Sequence, residues 1–243
     1  MREDVLRVYG WPLTGKNILS SVMEAARRRE PALPPLEMTL CKHIPPGTGL
    51  GAGSGNAAAL VEWFRTFAGI DISSDDMLAL GADIPFLSST DDIALCGGLG
   101  HKILARQTEI PRRPLRLLAV VPRWRCKTGE LYAMLDHARA RNVVETNPGE
   151  AGEEALSIMM RLTAMKPVGE LPNDFLPLVS SVEPAVEKLL TTLGSSGALG
   201  WGLSGSGSAM FALYPPFEEL SHIASEIEST GLVDQILVRD VLA

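Results

Sequence analysis

Two rhythms of apolar and polar residues alternate along this chain, and they predict its elements. VLRVYG (5–10) reads as a strand ending at Gly10. GKNILSSVMEAARRRE shifts to a helical period: Ile18, Val22, Ala25 and Ala26 share a face, and arginines gather in the last turn, at the negative end of the helix dipole. PALPP breaks that helix, and LEMTLCKHI then alternates through Leu36, Met38 and Leu40 to Lys42, as a half-exposed strand does. A glycine loop follows. From Ser54 a helix is predicted, with Ala57, Leu60, Val61, Phe64, Phe67 and Ala68 forming one apolar stripe and Gly69 at its stop.

DISSDDMLAL predicts a short helix capped by Ser73 or Ser74 and ending at GADIPFL. IALCGGLGHKIL predicts two short strands around a glycine turn, and RPLRLLAVVP an apolar strand. Further on, helices are expected over about 128–140, 151–165, 174–193 and 216–230, a turn running into a strand at WGLSGSGSAMFALYP, and a strand over 233–240. The pattern is α+β. A boundary near 108–113 divides the chain into domains 1–108 and 109–243.

Composition narrows the class. With 46% hydrophobic residues the chain has enough apolar surface for a core, which excludes disorder. No apolar run reaches the length of a membrane span, and MREDVLRVYG lacks a signal-peptide pattern, so a cytoplasmic protein without a membrane partner is expected. Cys41, Cys96 and Cys126 form no CxxC spacing, so they are expected to be reduced and at least half-buried. The net charge of −7 argues against nucleic acid, and the basic stretches ARRRE, PRRPLR and PRWRCK read as solvated faces or loops. A monomer or homodimer acting on a small molecule fits this balance.

Two segments carry candidate phosphate chemistry. GWPLTGKN (Gly10–Asn17) nearly spells a P-loop between a strand and a helix, but it has Asn17 where a hydroxyl ligand to magnesium is needed. The simpler reading is a strand, a turn and a helix capped near Asn17. GTGLGAGSG (47–55) alternates glycine with other residues directly before a helix. Glycines let successive N–H groups converge, and the helix start adds unpaired N–H groups and a positive dipole end, which together make an anion cradle. Ser54 would cap that helix or bring a hydroxyl near a metal. A flexible hairpin or linker is one alternative. A Rossmann fingerprint through Gly53, Gly55 and Ala58 is another, weakened by the alternating strand before it and by Pro45-Pro46.

KHIPPGTGLGAGSGNAAAL resembles the phosphate-binding motif of the GHMP kinase superfamily. It is most similar to the kinases acting on 4-diphosphocytidyl-2-C-methyl-D-erythritol in non-mevalonate isoprenoid synthesis, which have a longer glycine run followed by Asn-Ala-Ala, here Asn56-Ala57-Ala58. LGADIPFL (80–87) resembles the segment with their catalytic aspartate, here Asp83. PNDFLPLV (172–179) resembles their Asn-Asp segment, and GLSGSGSAMFALY (202–214) their glycine-rich third motif. The resemblance spans almost the whole chain. It implies a two-domain fold, with an incomplete βαβ-type N-terminal domain, a C-terminal ferredoxin-like α/β sandwich and an active site in the cleft between them.

The resemblance further implies ATP with Mg²⁺ and phosphorylation of the substrate's 2-hydroxyl. The phosphates would lie along Pro45, Pro46, Gly47, Thr48, Gly49, Leu50, Gly51, Ala52, Gly53, Ser54 and Gly55, and Asp83 would accept or orient the hydroxyl proton. Lys42 would reach a phosphate, or else face solvent. Thr128 and Tyr132 would lie near the cytidine end, or else be a cap and a core aromatic. Gly205 and Ser206, in the turn Ser204–Ser208, would border phosphates or substrate, or else only lead into a strand. Two alternatives stand beside this: a nucleotide-binding relative without transferase activity, and a kinase for another alcohol such as mevalonate or homoserine.

Two departures qualify the resemblance. The family's first strand with Pro-Ala-Lys-Ile-Asn-Leu and its Gly-Tyr-His segment have no counterpart, and Met1 aligns after both. Lys16 does not take over that lysine's role. Gly55 also replaces the second serine of the family's pair, and loss of one positioned donor costs roughly 10²–10³ in rate. Weak or absent activity is therefore expected, with an uncovered strand edge favouring self-association.

Overall fold

Val5–Gly10 (β1) and Glu37–Lys42 (β2) lie parallel, in a register that pairs Val5 with Glu37 and Gly10 with Lys42. Parallel neighbours need a crossover, and Ile18–Arg29 (α1) supplies it. Asn17 starts that helix by accepting a hydrogen bond from the Leu19 amide through its side chain at 3.0 Å. The computed structural model describes residues 3–12, 15–91, 93–106, 114–141 and 148–241. These fall into two units, residues 1–46 with 51–106, and residues 47–50 with 107–243.

In the first unit β1 and β2 are followed by Ala52–Trp63 (α2), Ser74–Leu80 (α3), Ile84–Leu87 (α4) and a hairpin of Ala94–Gly97 (β3) and Lys102–Arg106 (β4). The core joins Val22, Met23, Ala25 and Ala26 of α1 to Ala57, Ala58 and Val61 of α2 and to Ile84. β2 alternates as expected, with Met38 and Leu40 turned inward and Glu37, Thr39 and Cys41 outward. Cys41 is therefore exposed, not half-buried. β1 presents Val5, Val8 and Tyr9 to solvent, followed by Trp11.

The arginines of α1 are not merely solvated. Arg27 binds Asp4 at 2.6 Å and donates to the Leu33 and Pro34 carbonyls, which ties the start of β1 to the end of α1. Its hydrogen bond holds the Asp4 carboxyl below the usual range. Arg28 and Arg29 both reach Asp76 in the first turn of α3. Ser73 caps that turn by accepting from the Asp76 amide, and it donates to the Asp76 carboxylate at 2.8 Å.

The helix predicted from Ser54 begins two residues earlier, with Gly51 at its N-cap, so Ser54 lies inside the first turn and does not cap it. Its C-terminal end widens into a π turn over Phe64–Ala68 before Gly69 closes it with φ of +66°. A π turn takes more residues than an α turn, which breaks the 3.6-residue stripe. Phe64 stays buried, whereas Phe67 is 75% exposed.

The second unit is built on a five-stranded sheet. Its elements are Leu115–Pro122 (β5), Thr128–Ala140 (α5), Pro148–Thr163 (α6), Gly169–Glu170 (β6), Leu176–Val182 (α7), Ala185–Gly194 (α8), Gly200–Leu203 (β7), Met210–Tyr214 (β8), Ser221–Ser229 (α9) and Val233–Val241 (β9). The strand order is β6-β7-β8-β5-β9. Leu118, Val120, Met210, Ala212 and Tyr214 pack one face of the sheet against Val179, Val186, Leu189, Leu193, Ile223 and Ile227 of the helices. Each large apolar side chain so buried contributes about 1.5–3 kcal/mol. Leu115, Leu199 and Leu213 meet Ile158 and Leu162 of α6 in a smaller cluster.

The helix expected over 174–193 is two helices, because Pro184 cannot continue the ladder of the first. The helix expected from 216 starts at Ser221, after Pro215-Pro216 and a Phe217 held at φ of +65°. β6, two residues long, carried too little pattern to be predicted.

Candidate active site

The glycine loop and the helix it opens make a run of free donors. Gly47, Gly49 and Gly51 have φ between +65° and +75°, the left-handed region that favours glycine, whereas Gly53 and Gly55 are already helical. The Gly51 cap has no side-chain partner, and the ladder of α2 begins only where the Gly55 amide donates to Gly51. Among the described residues nothing accepts a hydrogen bond from the amides of Thr48 through Ser54. Residues 49–54 are exposed or half-buried, while Thr48 and Pro45 are buried. Left-handed glycines feeding an uncapped helix N-terminus form an anion-binding arrangement.

Gly47–Leu50, the tip of this loop, belongs with the second unit. There it docks on the glycine-rich turn between β7 and β8. The Ala209 amide donates to the Thr48 carbonyl at 2.8 Å, and Ser204 Oγ donates to the Gly49 carbonyl at 3.0 Å. A Cβ on Gly49 would come within 2.1 Å of the Ser204 carbonyl oxygen, so only glycine allows the approach. Ser206 is buried in the same turn, with its Oγ 3.2 Å from Thr128 Oγ1 at the start of α5. Gly205 is exposed.

Tyr132, one turn further along α5, is 53% exposed and is therefore not the core aromatic of the alternative reading. Its ring meets Phe175 edge to face with centroids 4.9 Å apart. Sequence reasoning gave no role to Asn173, two residues before Phe175. Its side chain bonds to the Leu203 and Gly205 carbonyls and so belongs to this neighbourhood. The Asn-Asp pair after Pro172 was the available signal.

In the first unit Asp83 stands immediately before α4, whose Ile84 is fully buried. The Asp83 side chain is exposed, caps nothing, and makes no hydrogen bond or ion pair among the described residues. Two residues earlier, a Cβ on Gly81 would lie 3.9 Å from Ser54 Oγ, so the Asp83 segment runs beside the first turn of α2. Burial pushes the Cys96 thiol up, and the Asp83 and Asp91 carboxylates add to the effect. Cys126 is raised in the same direction by burial and then by Glu183. Both remain neutral thiols at pH 7, unsuited to nucleophilic attack.

Lys42 closes β2 and is only 9% exposed, so it is not the solvated strand lysine of the alternative reading, and no ion pair to it occurs among the described residues. Gly10–Asn17 has no phosphate geometry in its described part. Lys16 pairs with Glu24 at 2.6 Å, Asn17 seals the helix start, and Gly10 has φ of +87° where a Cβ would lie 2.3 Å from the Lys42 carbonyl oxygen, so only glycine fits. Residues 13 and 14 of that segment lie outside the described residues. No group of three or more potential metal ligands occurs among the described residues, and none of the helices there is long and apolar enough to cross a membrane.

Comparison with known proteins matches residues 17–98 to the GHMP kinases N terminal domain and residues 152–232 to the GHMP kinases C terminal family. The chain is similar to the 4-diphosphocytidyl-2-C-methyl-D-erythritol kinase of Porphyromonas gingivalis, 32% identical over 92% of this chain and 80% of that protein. Its likeness to the kinase of the same name from Parabacteroides distasonis is 31% identity over 87% of this chain and 72% of that one. Among solved structures, a 4-(cytidine 5'-diphospho)-2C-methyl-D-erythritol kinase superposes with a TM-score of 0.75 at 21% identity, covering 99% of this chain and 83% of that one.

Proposed function

The chain belongs to the GHMP kinase family, and from that premise we propose that it transfers phosphate from ATP to the 2-hydroxyl of 4-diphosphocytidyl-2-C-methyl-D-erythritol. Residues 1–108 would be the ATP-binding domain and residues 109–243 the C-terminal domain. The observation that carries the reading is the unbroken run of unpaired amides from Thr48 through Ser54. Such a run suits an anion bearing several phosphate oxygens, and the uncapped dipole of α2 adds a positive potential.

ATP, when bound, supplies the transferable phosphoryl group. The residues Pro45–Gly55 would hold its phosphates, with Lys42 as the nearest lysine in sequence. Asp83 keeps a free carboxylate, which suits it to hold the proton of the acceptor hydroxyl or to fix that hydroxyl's direction. Thr128, Tyr132, Gly205 and Ser206 offer three hydroxyls, an exposed ring and backbone donors for the substrate. Mg²⁺ keeps several waters and takes phosphate oxygens as ligands, so the lack of a ligand cluster among the described residues is compatible with it. Ser54 Oγ is the one hydroxyl in the first turn of α2.

Gly55 supports a second reading, nucleotide binding without transfer, since it brings no hydroxyl to that turn. An ADP-release assay beside calorimetry with a non-hydrolysable ATP analogue separates the two. Turnover with the cytidyl substrate supports the kinase. Affinity without turnover supports the second reading, and no affinity for the analogue sinks both.

A further inference from the structure

We propose that Asn173 is a positioning residue that aims the glycine-rich turn at the bound nucleotide; this rests on the kinase reading above. Its Nδ2 donates to the Leu203 carbonyl at 3.0 Å and to the Gly205 carbonyl at 2.9 Å. Its Oδ1 accepts from the Phe175 amide at 2.8 Å. Carbonyls on one side and an N–H on the other leave one orientation for the amide.

These bonds have a directional consequence. In a trans peptide the C=O and the following N–H point in opposite directions. Pinning the Leu203 carbonyl turns the Ser204 amide away from Asn173, where it donates to Ala209 at 2.9 Å. Pinning the Gly205 carbonyl turns the Ser206 amide away in the same manner, and among the described residues that amide donates to nothing. Asn173 thereby holds a free N–H at the buried Ser206, in a turn whose other bonds, from Ala209 to Thr48 and from Ser204 to Gly49, carry the tip of the phosphate loop. The same side chain forms an Asx turn ahead of α7, so its second bond set roots the turn in a helix of the main core.

Asn173→Asp separates the two jobs. It keeps the acceptor for Phe175 and loses both donors, placing a carboxylate against two carbonyls. That environment raises the carboxyl's pKa, and on protonation an O–H restores one donor. We expect affinity for the ATP analogue to fall roughly 10- to 100-fold at neutral pH. It should recover in part at about pH 5.5, which wild type and Asn173→Ala do not show. Amide exchange should quicken at Gly207 and Ala209, with Leu118 and Val120 of β5 unchanged.

Wild-type affinity in both variants overturns the proposal, as does a loss in Asn173→Asp that low pH leaves untouched. Exchange that quickens throughout the unit overturns it too, since that marks a general stability role. If wild type itself binds no analogue, the kinase reading fails separately. Exchange then still decides whether Asn173 holds the turn: faster exchange confined to Gly207 and Ala209 supports it, and unchanged exchange overturns it.

Discussion

Residues 10–17 and 47–55 both follow a strand, both carry glycines at positive φ and both lead to a helix, yet one start is sealed and the other is open. At α1 the Asn17 side chain takes up the Leu19 amide and Lys16 is engaged by Glu24. At α2 Gly51 offers no side chain, and the amides from Thr48 through Ser54 remain unpaired. The glycines differ in purpose as well. Gly10 lets one strand press on its neighbour, whereas Gly49 lets the loop press on the turn at Ser204 and Gly207. A helix start can bind an anion only if its own side chains have not already satisfied its amides. A glycine–lysine motif is therefore weaker evidence than a missing cap.

Several substitutions would break or sharpen this contrast. The largest effect is expected beside the open start: Asp83→Asn should lower kcat by about 10²–10⁴-fold with analogue affinity preserved in calorimetry. Equal kcat would remove Asp83 from the reaction. Gly49→Ala comes next. Its Cβ would meet the Ser204 and Gly207 carbonyls at 2.1 and 2.8 Å, so analogue affinity should fall at least about tenfold, with ADP release falling in parallel.

The sealed start should behave differently. Asn17→Ala should cost about 1 kcal/mol in denaturant unfolding and leave analogue affinity alone. Lys16→Ala removes an exposed pair and should change stability by less than about 1 kcal/mol. Loss of nucleotide binding in Lys16→Ala would overturn the contrast and restore the P-loop reading.

The smallest effect concerns a third helix start, also sealed. Asp76 is held at about 2, first by the Ser73 hydroxyl and then by Arg29, against an ordinary 3.8. Because the folded value is lowered, its contribution is complete above about pH 4 and fades as pH falls towards about 2. Acid titration of Asp76→Asn beside wild type should show the two curves converging over that window. High salt should shrink the gap, since Asp76 and its arginines lie near solvent.

Elements bound by local period were legible. Val22, Ala25 and Ala26 announced the buried face of α1, Met38 and Leu40 the inward side of β2, and Ser73 the start of α3. Phe67 misled, because a π turn breaks a period that a sequence can only assume to continue. Of the two roles the sequence offers Ser54, a cap or a hydroxyl near a metal, the cap falls away because the left-handed Gly51 takes that position. Of the candidate site, the loop and Asp83 are visible as motifs. The Thr128 contact with Ser206 and the clamp from Asn173 are not, since each joins residues far apart in sequence.

Periodicity, turn residues and charge order are properties of neighbours, and physical preferences act on neighbours directly. They were enough for the α+β class, for most strands and helices, and for the glycine loop that leads into α2. Whether a donor is spent or free depends on what lies opposite it once the chain has closed. Only folding could leave the amides of residues 48–54 open while Asn17 and Ser73 sealed their own helices, and only folding could press Gly49 against a turn more than a hundred and fifty residues away. That selection is made by hydrogen bonds and close approach in three dimensions, which no linear spacing encodes.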